Sequence, residues 1–226
     1  MCYNKSVSLL TFSVMAISTA CLIYRNYPND RWFALFFIFA GIMQLFEYFM
    51  WSDQSCGRVN HLATMGAFIL LLMQPVVLLI GAYYFGTLRF DKKKLVPIIW
   101  TYVIFFGIII INKIKIGIKH RMCSLPNGKH LDWNMGKLFF RDKPIMYLCA
   151  FLYYISAPLF LLARPWYLGA IMLVLTGGTL FFSVFFVKNP SWKSMWCWIS
   201  NFIPVIYIIL SYFIYKNRQL RKYLQQ

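Results

Sequence analysis

Residues 61–86 read HLATMGAFILLLMQPVVLLIGAYYFG, a stretch that contains no Asp, Glu, Lys or Arg. A helix of about 20 such residues crosses the hydrocarbon core of a bilayer. Six further apolar runs flank this stretch. The seven runs together occupy residues 7–24, 31–51, 61–86, 95–112, 144–163, 165–187 and 195–215. The pattern predicts an all-α fold in which residues 1–226 form one polytopic bundle of seven transmembrane helices.

The composition supports a membrane protein. The chain is 61% hydrophobic and 13% charged, whereas about a quarter of the residues in a soluble domain are charged. The net charge is +17, and the Lys and Arg residues lie beside the apolar runs, where basic clusters bind anionic lipid headgroups. No nucleic-acid-binding signature is visible. We therefore predict that the partners are the lipid bilayer and its anionic headgroups, not nucleic acid.

Lys and Arg are distributed unevenly between the runs. We define side A as the membrane side that holds the N-terminus and side B as the opposite side. Short side A segments hold four such residues, Lys5, Arg58, Lys188 and Lys193, and side B segments hold eleven, Arg25, Arg31, Arg89, Lys92, Lys93, Lys94, Arg164, Lys216, Arg218, Arg221 and Lys222. Because Lys and Arg concentrate in cytoplasmic segments, we predict an outer or lumenal N-terminus and a cytoplasmic C-terminus.

The first run has a second interpretation. Lys5 precedes it and small residues lie near its end, as in a cleaved signal peptide. Tyr24 and Arg25 follow the run, and an aromatic and a basic residue in this position are typical of an interfacial anchor. We therefore expect the first run to remain as a transmembrane helix.

Residues 113–143 form a long basic loop on side A. The loop holds eight Lys or Arg residues, but a long loop is translocated largely regardless of its charge. Asn127 and Gly128 favour a tight turn. We predict that the apolar residues of the loop fold it over the bundle as a lid. The lid candidates are His130, Asp132 and Trp133.

Cys56 and Cys123 both lie in side A loops. Exported compartments permit disulfides, so a bridge between these two cysteines would hold the long loop over the mouth of the bundle. Two free thiols are the alternative, because the sequence does not fix the distance between their α carbons. The His, Cys and Asp residues of the loop match no zinc-binding spacing. We predict no metal site and no cofactor.

Glu47 is the one charged residue within the runs away from their ends. An acid at this depth points into the bundle or reaches back to the interface. We predict that it helps to line a polar pocket in the side A half of the bundle. The candidate ligand-binding residues are Gln44, Glu47, His61, Thr64, Gln74, Ser183 and Asn201. The alternative is a structural carboxyl that is protonated or paired with Arg58 or His61.

The third and seventh runs share a proline-valine step. The third run has QPV at residues 74–76 and the seventh has IPV at residues 203–205, each with a tyrosine eight residues after the proline. Such similarity predicts a three-plus-one-plus-three parallel repeat of the kind found in some transporters. Proline within a transmembrane helix either shapes a cavity or hinge, or only kinks the helix.

Known families with seven helices lack required residues here. The last run has no lysine for a retinal Schiff base, and the runs contain no histidine pair four residues apart as in membrane zinc hydrolases. The motifs GKHLDWN at residues 128–134 and SMWCW at residues 194–198 resemble an uncharacterised multi-pass family of large DNA viruses and some algae. The resemblance implies a viral or host-cell membrane and no particular activity.

The sequence favours one function class over two others. We predict that the protein binds or transports a small molecule or lipid through the side A pocket. The alternative is a structural or interaction protein that organises a membrane and has no substrate. A third hypothesis is an intramembrane enzyme in which Glu47 acts as acid or base with His61. No catalytic residue is assigned.

Overall fold

The structure, a computed structural model, describes residues 4–127, 130–133, 156–186 and 192–217. Short 3-10 helices cover Lys92–Lys94 and Ala157–Leu162, and strands β1 (Leu125–Asn127) and β2 (His130–Asp132) form an antiparallel hairpin. The α-helices of these ranges are α1 (Lys5–Arg25), α2 (Asp30–Ser52), α3 (Arg58–Phe85), α4 (Leu95–Lys119), α5 (Trp166–Phe186), α6 (Trp192–Ser200) and α7 (Ile203–Lys216).

Six described segments are long and apolar enough to cross a membrane. Five correspond to α1 to α5, with the short 3-10 helix included in the fourth, and α6 and α7 together form the sixth. The fold is therefore helical and fits a multi-pass integral membrane protein. Most of the predicted fifth run, residues 144–155, lies outside the described residues.

The helix bounds differ from the predicted ones after α4 and before α5. α4 continues to Lys119, beyond the predicted end at residue 112, so the side A loop begins later than expected. The extra turns form because Ile110 and Ile114 still pack on the core and Gly117 lies against Met65. Residues 157–162, the predicted end of the fifth helix, form a 3-10 helix instead.

α2 lies at the centre of the described bundle, where it packs against α1 and α3. Trp32 is fully buried, and its indole Nε1 donates a hydrogen bond to the carbonyl oxygen of Leu78 in α3 (2.9 Å). Phe33 packs edge-on against Phe160 and Tyr207, with ring centroids 5.6 and 5.2 Å apart. These buried aromatic rings join α2 to α3, α7 and the 3-10 helix before α5.

Asn29 connects three chain segments on side B. The Thr87 amide donates to its Oδ1 (2.7 Å), and its Nδ2 donates to the carbonyl oxygen of Arg164 (2.9 Å). Beside it, the Arg89 amide donates to the Leu162 carbonyl (2.9 Å) and the Arg164 amide to the Thr87 carbonyl (2.6 Å). The α1–α2, α3–α4 and pre-α5 segments are thus bonded together at the side B end of the bundle.

Arg25 joins α7 to the same end of the bundle. Arg25 Nε lies 2.8 Å from Asp30 Oδ2, and Arg25 Nη1 donates to the Ile208 carbonyl oxygen of α7 (3.2 Å). The guanidinium lies over the Tyr27 ring at 4.7 Å. Since Arg25 bonds both partners, the last helix is held against the turn between α1 and α2.

Replacement of Asn29 should loosen the side B end. Asn29 has a positive φ of 69°, so Asn29→Gly removes both side-chain hydrogen bonds without adding backbone strain. We expect Asn29→Gly to lower the free energy of unfolding by about 1–3 kcal/mol, because it removes two part-buried hydrogen bonds of about 0.5–1.5 kcal/mol each. Asn29→Asp keeps the acceptor for Thr87 and should lose less. Thermal unfolding in detergent measures both, and an unchanged Asn29→Gly midpoint would contradict the assigned role.

Candidate functional site

The side A end of the bundle is closed by the segment that follows α4. Cys123 of this segment forms a disulfide with Cys56, with an S–S distance of 2.00 Å and an α-carbon distance of 5.5 Å. The two residues are 67 positions apart in sequence. The bridge attaches the long loop to the turn between α2 and α3.

Asn60, in the first turn of α3, holds the same segment. Its Nδ2 donates to the carbonyl oxygens of Met50 (3.2 Å), Asp53 (2.8 Å) and Ser124 (2.9 Å). The Ser124 amide donates back to Asn60 Oδ1 (2.9 Å). Asn60 and Ser124 are both fully buried. One amide side chain therefore links α2, α3 and the loop.

Two predicted ligand-binding residues belong to this contact. The Met122 amide donates to His61 Nδ1 (3.1 Å), and the Thr64 hydroxyl lies 3.1 Å from both Asn60 Oδ1 and Ser124 Oγ. Their polar atoms are thus used to hold the loop. A ligand that contacted these atoms would have to displace the loop segment.

Asp53 fixes the turn between α2 and α3. Its carboxylate accepts hydrogen bonds from the backbone amide of Asn60 (3.1 Å), the Ser55 hydroxyl (2.9 Å) and the backbone amide of Gly57 (3.0 Å). The bond from the Asn60 amide, followed by that from Ser55, lowers the pKa of Asp53 below its usual 3.8. The charged form of Asp53 therefore stabilises the turn that carries Cys56.

The hairpin of β1 and β2 extends the closure. Asn127 pairs with His130 and Leu125 with Asp132, and β2 packs against α6. Leu131 and Trp133 are buried, with 1% and 5% of their surfaces exposed. Of the lid candidates, Trp133 is buried and Asp132 is half-buried, and the side chain of His130 lies outside the described part of the chain. The turn residue Gly128 also lies outside it.

Gln44 and Glu47 lie in the interior of the bundle. Both are fully buried. The Thr11 hydroxyl of α1 lies 3.0 Å from Gln44 Oε1, and Glu47 lies near the thiol of Cys197 in α6. α2 packs against both α1 and α6 in this region. Ser183 is buried elsewhere, where its hydroxyl donates to the Thr179 carbonyl of its own helix (2.8 Å).

The predicted seventh helix is interrupted at Asn201 and Phe202, between α6 and α7. Pro204 has no amide hydrogen to donate to the carbonyl of Ser200. The last turn of α6 tightens, since the Asn201 amide bonds the Trp198 carbonyl three residues back (3.3 Å). Asn201 Nδ2 donates to the Cys197 carbonyl (2.6 Å). The break therefore places an amide side chain in the interior of the bundle.

A cavity of about 120 Å³ adjoins this break. Its walls come from α1, α2, α3, α5, α6, the start of α7 and the segment before α5, and it is lined mostly by apolar side chains. The polar side chains of its lining are Gln74, Ser156, Thr176, Ser200 and Asn201, and the Cys197 thiol and the Trp196 indole join them. No charged side chain appears among the described residues that line it. Of the predicted pocket residues, the cavity brings together Gln74 and Asn201.

Asn201 stands out among the lining residues. It is 2% exposed, and no described residue donates a hydrogen bond to its Oδ1. A Cβ built on Gly41 would lie 3.5 Å from this oxygen and 2.6 Å from Cγ of Met15, which also lines the cavity. A buried carbonyl-type oxygen without a donor is costly. The arrangement can accept a hydrogen bond from a small molecule in the cavity.

Several residues of these contacts were missed in the sequence. Asn29, Asn60 and Ser124 lie in or beside short loops, where asparagine and serine are common turn residues. Ser156, Thr176 and Ser200 lie in apolar segments, where such hydroxyls usually bond their own helix. The position of Asn60 was the one usable signal of a role in holding the loop, because it lies near a helix start and four residues after Cys56.

Comparison of the chain with protein-family models, with curated proteins and with solved structures finds no match.

The role of Asp53 predicts a pH dependence of stability. Because its pKa is lowered below 3.8, its contribution is present above that value and is lost as the pH falls through the folded-state pKa. We expect the wild type to unfold at a higher temperature than Asp53→Asn near neutral pH, with a difference that shrinks toward about pH 3.

Ser55→Ala is the graded control for this measurement, since it removes one of the hydrogen bonds to the carboxylate. The unfolding temperature of Ser55→Ala should exceed that of Asp53→Asn by less than the wild type does, and this smaller excess should also shrink as the pH falls. Thermal unfolding in detergent across the pH range tests the series. Parallel curves for wild type and Asp53→Asn would refute the role of the charged carboxylate.

Proposed function

We propose that this protein binds a small uncharged molecule in the cavity beside the break between α6 and α7. The observation that carries the proposal is the buried Oδ1 of Asn201, which has no donor among the described residues. A hydrogen-bond donor on the ligand would complete the amide. Binding alone, or transport with binding as its first step, would both use this contact.

The size and lining of the cavity support a small ligand. Its volume of about 120 Å³ is close to that of apolar cavities of about 150 Å³ that bind benzene. The described lining is apolar apart from amide, hydroxyl, thiol and indole groups, so a charged molecule would lose its hydration without an opposite charge to replace it. The ligand, or the part of it that enters, therefore matches a six-membered ring with one donor group.

Glu47 lies beside the cavity, next to residues that line it, in this proposal. It lies on the same face of α2 as Gln44 and within electrostatic range of Cys197, which lines the cavity. Discontinuous helices in transporters place polar groups near the middle of the membrane in a similar way. Glu47 is thus close to the cavity without being among the described residues of its lining.

We also propose that the chain crosses the membrane seven times. Residues 122–124 bond to the start of α3, and residues 162–164 bond to the segment after its end. α3 has 28 residues and is therefore about 42 Å long. The chain between these two segments has to pass from side A to side B, which supports a crossing by the run at 144–163.

The orientation belongs to the same proposal, with side A outside the cell or in a lumen. The excess of Lys and Arg on side B supports it, and so does the Cys56–Cys123 bridge on side A, since disulfides persist in oxidising compartments. Arg89, Lys93 and Lys94 are exposed on side B and would then contact anionic lipid headgroups of the cytoplasmic leaflet.

We also propose the parallel repeat and membership of the viral and algal family. Pro75 lies inside the continuous helix α3, whereas Pro204 lies in the first turn of α7. The corresponding steps nevertheless meet at one place, because Gln74, Pro75 and Ile203 all line the cavity. That shared position supports an architectural repeat around the cavity. The motifs at residues 128–134 and 194–198 are the support for the proposed family.

Ligand binding can be followed through Cys197. In a Cys2, Cys21 and Cys149→Ser background, Cys197 is the remaining unpaired thiol, and it lines the cavity. We expect benzyl alcohol to slow its alkylation by N-ethylmaleimide more than benzyl methyl ether does. A neutral hydrogen bond is worth about 1 kcal/mol, so the affinity ratio should be about fivefold.

Asn201→Leu should abolish that preference, and Asn201→Asp, which keeps an acceptor, should retain it. Ser200→Ala is the matched control, because its hydroxyl already bonds the Trp196 carbonyl (2.7 Å) and its loss should leave the preference unchanged. Size-exclusion chromatography checks that each variant folds. Equal protection by alcohol and ether in the wild type would refute the role of Asn201 as acceptor.

The orientation has its own test. In a chain that retains Cys56 and Cys123 alone among its six cysteines, we expect a membrane-impermeant maleimide to label intact cells, or lumen-exposed vesicles, after addition of a reductant and not before. The physical reason is that the disulfide blocks both thiols. Labelling from the cytoplasmic side would reverse the proposed orientation.

A further inference from the structure

On the α5 side, the lining of the cavity includes an exposed glycine, Gly177. Leu173, Thr176, Gly177 and Leu180 of α5 line it, and their spacing places them on one helix face. Gly177 is nevertheless exposed, and a Cβ added to it would meet nothing within 4 Å. Among the described residues, the wall of the cavity is therefore open at Gly177.

The residues around Gly177 identify the surroundings of the opening. Val174 and Phe181, one turn away on either side, are 70% and 60% exposed. Exposed apolar side chains on a membrane-spanning helix face the lipid. Gly177 thus lies at the border between the cavity face and the lipid face of α5.

Within the described ranges, bonded segments lie at both aqueous ends of the bundle. On side A, the Cys56–Cys123 bridge and Asn60 hold the loop against α3. On side B, Asn29 bonds the segments that end α3 and precede α5. A molecule from water would have to break one of these contacts, whereas a molecule dissolved in the bilayer meets the opening at Gly177 directly.

We infer that the ligand is a membrane-dissolved amphiphile, a lipophilic alcohol or phenol, which enters from the bilayer beside Gly177 and donates its hydroxyl to Asn201 Oδ1. This inference rests on the proposed function and specifies its substrate class. The apolar part of such a molecule suits the lining, and its single donor suits Asn201 Oδ1, the acceptor without a donor among the described lining residues. A longer chain could remain in the lipid while the ring or head occupies the cavity.

The route is tested with two thiol reagents on the Cys197 reporter protein in nanodiscs. N-dodecylmaleimide is confined to the bilayer by its chain, and a quaternary-ammonium methanethiosulfonate is confined to water. We expect the first to modify Cys197 and the second to leave it unmodified. Modification by the charged reagent, or failure of the dodecylmaleimide to react, would overturn the lateral route.

Two neighbouring glycines provide matched variants. Gly177→Phe places a ring in the opening and should slow modification by N-dodecylmaleimide by about tenfold or more, because a filled gap excludes the reagent. Gly178 is equally exposed, has equally free space and does not line the cavity. Gly178→Phe should therefore stay within about twofold of the wild type. Equal rates for the two variants would contradict access at Gly177.

The outcomes separate the inference from the function on which it rests. If benzyl alcohol still protects Cys197 in an Asn201-dependent way while N-dodecylmaleimide is excluded, the cavity binds its ligand and the bilayer route is wrong. If N-dodecylmaleimide reacts but benzyl alcohol gives no Asn201-dependent protection, the opening exists and the proposed function fails.

Discussion

The hydrocarbon core of a bilayer offers no hydrogen-bond partner, and the rest of this structure depends on that constraint. Every backbone and side-chain polar group at membrane depth has to be satisfied within the protein. The helices satisfy their own backbone groups, and most buried hydroxyls bond the preceding turn, as Ser18 and Ser211 do. An interior acceptor without a donor, such as Asn201 Oδ1, is for that reason the most informative polar group in the described part of the chain.

Two buried asparagines close the ends of the bundle by the same physical means. Asn60 on side A and Asn29 on side B each use both ends of an amide, so that one side chain accepts from one segment and donates to others. An amide can do this because it carries an acceptor and two donors. With both ends held, the break between α6 and α7 and the opening at Gly177 are the places where the described interior is least complete.

The polar residues near side A divide into two groups with different roles. His61 and Thr64 bond the loop segment that follows α4, while Gln74 and Asn201 face the cavity deeper in the membrane. Residue type and depth favoured one shared pocket, but they carry no information about which residue forms a hydrogen bond with each polar atom. The loop segment occupies the atoms of His61 and Thr64 because the Cys56–Cys123 bridge brings it there.

The sequence alone indicated the membrane location and the positions of five of the six described spans, because long uncharged runs are local properties of the chain. It offered the Cys56–Cys123 bridge as one of two alternatives, and the structure decided for the bridge. The sequence also singled out Gln74 and Asn201. The tertiary structure decided what could not be read locally: α4 runs to Lys119 because Gly117 packs on Met65. The last helix breaks where Pro204 removes a hydrogen bond, and a cavity remains there. Such contacts join residues far apart in sequence, and periodicity does not encode their distances.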